Sequence, residues 1–164
     1  MMVQGAIVTY TDLQVITPDE TYVTAPLGYK LAGWADVEDA TEVQYAPGDT
    51  LDLQVATIKQ LYALWEKIDA DQGVEIKVEN EKVQVTIPAE WCDTCGIQQG
   101  IAALYDADTG KMLAASTSKY TAGEALCMEV SYTGNALPVC KVFLLDESQN
   151  PLGKGEALSL SNDK

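Results

Sequence analysis

The chain contains no histidine and no arginine, and its ten basic residues are all lysine. The first absence removes the side chain that most often serves as general base or metal ligand. Neither a Ser–His nor a Cys–His nucleophilic pair can be assembled. The second removes the planar fork that grips phosphate or carboxylate with two parallel hydrogen bonds. Long apolar runs are missing too, and nothing approaches the roughly 20 consecutive residues that a membrane-crossing helix requires. The opening Met1-Met2-Val3-Gln4 has neither the basic nor the apolar region of a secretion signal. Positive charge is scarce: 25 acids face ten lysines, for a formal charge of −15. Positions 1–68 hold ten acids and three lysines and positions 69–164 hold 15 and seven, so the two parts carry −7 and −8. A field of that sign repels phosphate backbones and anionic lipid surfaces. No nucleic-acid partner and no membrane insertion are expected. Acids scattered this evenly read as a solvating surface, so no catalytic residue is assigned.

What is present is a chain of 164 residues with 47% apolar and 21% charged side chains, the composition of an ordinary globular protein. Short β-rich runs separated by turn residues recur throughout. The first part offers Ala6–Tyr10, Tyr22–Thr24, Tyr29–Trp34, Glu42–Tyr45, Thr50–Leu53 and Gln60–Trp65. The best helix candidate there, Asp36–Thr41, has room for little more than a turn. The charged stretch Glu66–Gly73 has no apolar periodicity and is read as a boundary, giving domains at 1–68 and 69–164. Beyond it come Val74–Glu79, Lys82–Ile87, Gly100–Tyr105, Lys111–Ser116, Ala125–Tyr132, Val139–Asp146 and Gly155–Leu160. Val83, Val85 and Ile87 alternate with polar neighbours, the mark of a half-buried strand. The expected class is mainly β, and seven short strands with regular turns predict an immunoglobulin-like β-sandwich in the second part.

Four cysteines carry the sharpest chemistry. Trp91-Cys92-Asp93-Thr94-Cys95 is similar to the W-C-x-x-C site of thioredoxins, where a helix N-terminus lowers the thiol pKa. Gly96 and Gly100 disfavour the long helix that site requires. A zinc site using Cys92, Cys95, Cys127 and Cys140 fits poorly, because the second pair is too widely spaced for a zinc knuckle. The even count predicts possible disulfides instead, Cys92 with Cys95 and Cys127 with Cys140. A hairpin turn between Thr133 and Gly134 would put Cys127 opposite Cys140. Asp106-Ala107-Asp108-Thr109-Gly110 begins like a calcium loop but lacks its later ligands, so a turn is expected and no cofactor or metal is assigned. Trp34, Tyr45, Trp65, Trp91 and Tyr132 are candidates for a sugar-stacking row, although core or rim positions are the expectation.

The segment Gly28-Tyr29-Lys30-Leu31-Ala32-Gly33-Trp34, with Tyr45–Thr50 and Leu61-Tyr62-Ala63-Leu64-Trp65, resembles the Listeria–Bacteroides (internalin B-type) repeat. Leu31 stands where that family usually has Phe. The resemblance implies a small β-grasp-like module on secreted bacterial surface proteins. Ala102–Asp106, Gly110–Leu113, Lys141–Asp146 and Pro151-Leu152 resemble a β-sandwich found near the ends of large secreted proteins of Gram-positive bacteria. Together these imply a non-catalytic segment of a larger extracellular or cell-surface protein, engaging an unknown protein or glycan. The alternatives are a secreted thiol–disulfide oxidoreductase using Cys92 and Cys95, or an accessory carbohydrate-binding module.

Overall fold

A computed structural model describes residues 2–10, 14–17, 19, 21, 23–52, 59–134, 137–158 and 160. Tyr22, Leu53 and Asn135, which belong to expected strands or turns, lie outside them. The chain is mainly β and divides into two compact units, Met1–Ile68 and Asp69–Lys164.

In the first unit, β5 (Lys59–Lys67) runs antiparallel between β1 (Met2–Tyr10) and β3 (Tyr29–Ala35). A second pair joins β2 (Gln14–Ile16) to β4 (Thr50–Asp52). Strand β5 is central because its apolar residues alternate: Leu61, Ala63 and Trp65 enter one cluster with Trp34 and Leu51. Tyr29, Leu31, Val23 and Tyr45 pack around that cluster. Gly33 sits at a bulge where β3 shifts register against β5. There the Tyr45 carbonyl comes so close that a Cβ on Gly33 would collide with it and with Val43. The close approach lets Trp34 and Tyr45 exchange backbone hydrogen bonds at 2.9 and 3.0 Å. Buried Thr17 pins the neighbouring turn, its hydroxyl donating to the Ala46 carbonyl at 2.8 Å. Three local expectations differ here: in the expected strand Tyr22–Thr24, the described Val23 and Thr24 form a bend and irregular chain. Asp36–Thr41 forms bends and turns instead of a helix, and Glu42–Tyr45 contributes a single bridge instead of a strand.

Among its described residues the second unit holds seven strands in two antiparallel sheets. One sheet orders β10 (Leu126–Ser131), β7 (Lys82–Ile87) and β6 (Glu75–Glu79). The other orders β12 (Ala157–Leu158), β11 (Val139–Leu145), β8 (Gln99–Tyr105) and β9 (Met112–Lys119). Val83, Val85 and Ile87 are fully buried, as their alternation predicts. Leu126, Met128 and Val130 face inward beside them, and Ala102, Leu104, Val142 and Leu144 come from the opposite sheet. Each of the Val, Leu, Ile and Met side chains among them contributes about 1.5–3 kcal/mol when fully buried. Gly100 lies directly under Leu126 and Met128, so the two sheets approach closely there.

The β6–β7 hairpin turns on Asn80 and Glu81, at φ of 51° and 59°. Two residues with positive φ between paired Glu79 and Lys82 define the mirror-image turn that matches strand twist. Asn tolerates that conformation, whereas Glu81 does so at a cost. Glu81→Gly is therefore expected to raise stability by about 1 kcal/mol, measured as a higher urea midpoint with unchanged slope.

Candidate functional site

The one α-helix among the described residues is α1 (Ala89–Cys95), linking β7 to β8 and carrying the cysteine motif. Its boundaries follow local chemistry. Pro88 precedes the first turn with φ −56°, and Glu90 places negative charge near the helix N-terminus. Gly96 ends the helix in the left-handed conformation at φ 74°. The next amide, from Ile97, donates to the Cys92 carbonyl at 2.9 Å.

Those caps decide where the thiols point. Cys92 is the fourth residue of a seven-residue helix and Cys95 the last, so neither stands at the positive end of the dipole. Both are buried, and the Cys92 thiol lies 3.9 Å from the Ile87 carbonyl. Burial raises the Cys92 thiol above its ordinary range and pushes Cys95 up to about 11. A redox nucleophile needs the reverse, an accessible thiol with a depressed pKa. In this arrangement Cys92 and Cys95 behave as small core residues.

Trp91 projects from the same helix toward the 3-10 turn Ala70–Gly73. Its indole Nε1 donates to the Ala70 carbonyl at 2.9 Å, and Gly73 packs flush against the ring. Asp71 in that turn accepts backbone hydrogen bonds on Oδ2 from Lys154 at 2.6 Å and Gly155 at 3.2 Å. Its other oxygen is buried with no hydrogen-bond partner. On the far side of the helix, the Tyr120 hydroxyl donates to Asp93 at 2.7 Å, which raises the Tyr120 pKa. Beside Trp91 runs an open groove lined by Gln72, Gly73, Glu75, Pro88, Glu90 and Thr94. Its ionisable groups are two carboxylates, and no lysine lines it.

The remaining cysteines do not form the expected pair. Cys127 lies opposite Thr86 in one sheet, whereas Cys140 lies opposite Leu104 and Leu158 in the other. Strands β10 and β11 are thus not a hairpin at all. Each turns one apolar face to the interior from its own sheet, so the two strands do not lie edge to edge. Cys127 is exposed and Cys140 buried, and all four thiols are free. No cluster of three or more Cys, Asp or Glu residues suited to a metal occurs among the described residues. The Asp106 loop closes on itself: Oδ1 accepts from the Asp108 amide at 3.2 Å and from the Thr109 amide and hydroxyl at 2.7 Å. The aromatic row is broken as well, because Trp34 and Trp65 are interior, leaving Trp91 as the partly exposed tryptophan.

The chain was compared with protein-family models, characterised proteins and solved structures. None matches it.

Thiol chemistry supplies a direct check. Cys127 is expected to react with a disulfide reagent at pH 8 in the native protein, and all four thiols only after denaturation. The folded pKa of about 11 for Cys95 and for Cys140 exceeds the ordinary 9.0. Their burial therefore contributes stability that is intact below pH 9 and is lost as pH climbs toward 11. Alkaline unfolding monitored between those limits should become shallower in Cys140→Ala. Fast labelling of more than one native thiol would contradict the buried placement.

Proposed function

We propose that the chain is a non-catalytic extracellular module, a spacer, adhesion or ligand-presenting segment of a larger secreted or surface protein. The observation that carries this reading is the burial of both thiols of the W-C-x-x-C motif. The side chains with the clearest catalytic precedent are turned into the core and kept protonated. The residues that carry the repeat-like resemblance have a similar role. Trp34, Leu61, Ala63 and Trp65 build a core, and Gly33 allows a close backbone approach. The three- and four-stranded sheets of the second unit support an immunoglobulin-like reading, while the β-grasp-like reading of the first rests on its resemblance. The extracellular assignment likewise rests on resemblance, since free buried thiols fit either redox compartment. An insulin-reduction assay tests the central claim. Turnover that disappears in Cys92→Ser would overturn it, and the expected result is none in either protein. Antibody labelling of intact, unpermeabilised cells tests display.

The groove at Trp91 favours a second reading, a weak sugar-binding module. An indole beside two carboxylates and an amide presents a flat apolar surface with hydrogen-bond acceptors at its rim. Because Trp34 and Trp65 are buried, a sugar in that groove would alter the emission of Trp91 alone. Titration with soluble cell-wall oligosaccharides should then shift fluorescence in the native protein and not in Trp91→Phe. No shift would leave the display role without this ligand.

A further inference from the structure

Two carboxylates line the Trp91 groove without a cation to balance them. Glu75 comes from β6 and Glu90 from α1, and no lysine lines the groove. Among the described residues neither side chain makes an ion pair or a hydrogen bond. Other glutamates are compensated: Glu129 takes Lys82 at 2.7 Å, and Glu66 takes Lys30 at 3.3 Å. A groove on the β6–β7–β10 face likewise mixes two lysines with two glutamates. The Trp91 ring is held in place, because Nε1 is committed to the Ala70 carbonyl and the Gly73 backbone packs against Cδ1, Nε1 and Cγ. Such a ring offers a ligand apolar contact and a negative π face, but no hydrogen bond. Thr94 donates its hydroxyl proton to the Glu90 carbonyl at 2.8 Å, which leaves its oxygen to accept, and Gln72 adds an amide.

Building on the sugar-binding reading of this groove, we propose that its ligand is a sugar bearing a free, protonated amine. The ammonium engages Glu75 and Glu90, and a pyranose face stacks on the Trp91 indole. Charge complementarity selects this class. A phosphorylated or carboxylated sugar meets two like charges, and a neutral sugar leaves both carboxylates without a counter-charge. A protonated amine supplies that charge and is also attracted to an indole face. The surrounding unit, with 15 acids and seven lysines, carries −8, so its field draws the same ligand in. A plain alkylammonium would engage the carboxylates and leave the ring, the amide and the hydroxyl unused. The groove holds about 380 Å³, at the small end of ligand sites of roughly 300–1,000 Å³, and it is open to solvent, so affinity is weak.

Tryptophan emission of the whole chain, titrated at about pH 6 with a glucosamine trimer and with an N-acetylglucosamine trimer, tests this. Trp34 and Trp65 are interior, so Trp91 reports on the groove, and Trp91→Phe serves as the blank. The glucosamine trimer should give a saturable shift, with binding at least about fivefold tighter than its acetylated counterpart and weakened by added salt. Glu75 and Glu90 are both exposed, so E75Q/E90Q leaves the interior alone, and a matching thermal midpoint would show that it folds. That variant should bring the two trimers to within about twofold of each other. If neither trimer shifts the emission, the sugar reading fails and the proposal with it. If both bind equally, the sugar reading stands and the preference for an amine is overturned. A preference that survives in E75Q/E90Q would trace to overall charge, and an equal shift from propylammonium would trace to the amine without the sugar. Either would overturn the proposal.

Discussion

Trp65→Ala is expected to unfold the first unit while the second keeps its native signals. Trp65 is 2% exposed and shares its cluster with Trp34, Leu51, Leu61 and Ala63. Truncating a buried tryptophan costs about 3–5 kcal/mol, from lost burial plus the cavity left behind. A unit of this size has a total stability of roughly 3–10 kcal/mol, so the loss is comparable to all it has. Amide spectra of the variant should lose dispersion for positions in 1–68 and retain it for 69–164. Retention of both sets with a cost below about 1 kcal/mol would mean the cluster is not the organising core.

Gly73→Ala should destabilise the second unit by about 1–3 kcal/mol, a large effect for one methyl group. The added Cβ would be driven into the indole of Trp91, meeting Cδ1, Nε1 and Cγ. The ring cannot simply swing away, because Nε1 is committed to the Ala70 carbonyl. Relief requires either breaking that bond or moving the turn that carries Asp71, which holds the Lys154 and Gly155 amides. A double-mutant cycle isolates the contact. In a Trp91→Ala background the same Gly73→Ala change should cost almost nothing. Equal costs in both backgrounds would show that Gly73 matters for its backbone freedom and not for the indole above it.

Strand positions were largely legible without the fold. Period-two alternation in Lys82–Ile87 and the turn residues around it place β7 from sequence alone, because half-burial imposes that pattern. The helix was not legible. Seven residues give too few turns for a 3.6 period to show, so α1 is visible only through its caps, Pro88 and Gly96. Strand β2, at Gln14–Ile16, is too short to stand out from its surroundings.

The candidate site divides along the same line. A W-C-x-x-C motif names two thiols, but reactivity depends on which part of the helix they occupy and how much protein covers them. Pairing of Cys127 with Cys140 followed from counting outward from a turn, and that count assumes the flanking strands are neighbours. Composition and alternation determine that the chain is mainly β, strongly acidic, and without the histidine chemistry of most hydrolytic and metal sites. Which strands lie side by side, which face each other and which cysteines are enclosed were decided by the tertiary structure. The physical reason is that an apolar face reads the same in sequence whether its partner lies beside it or across the core.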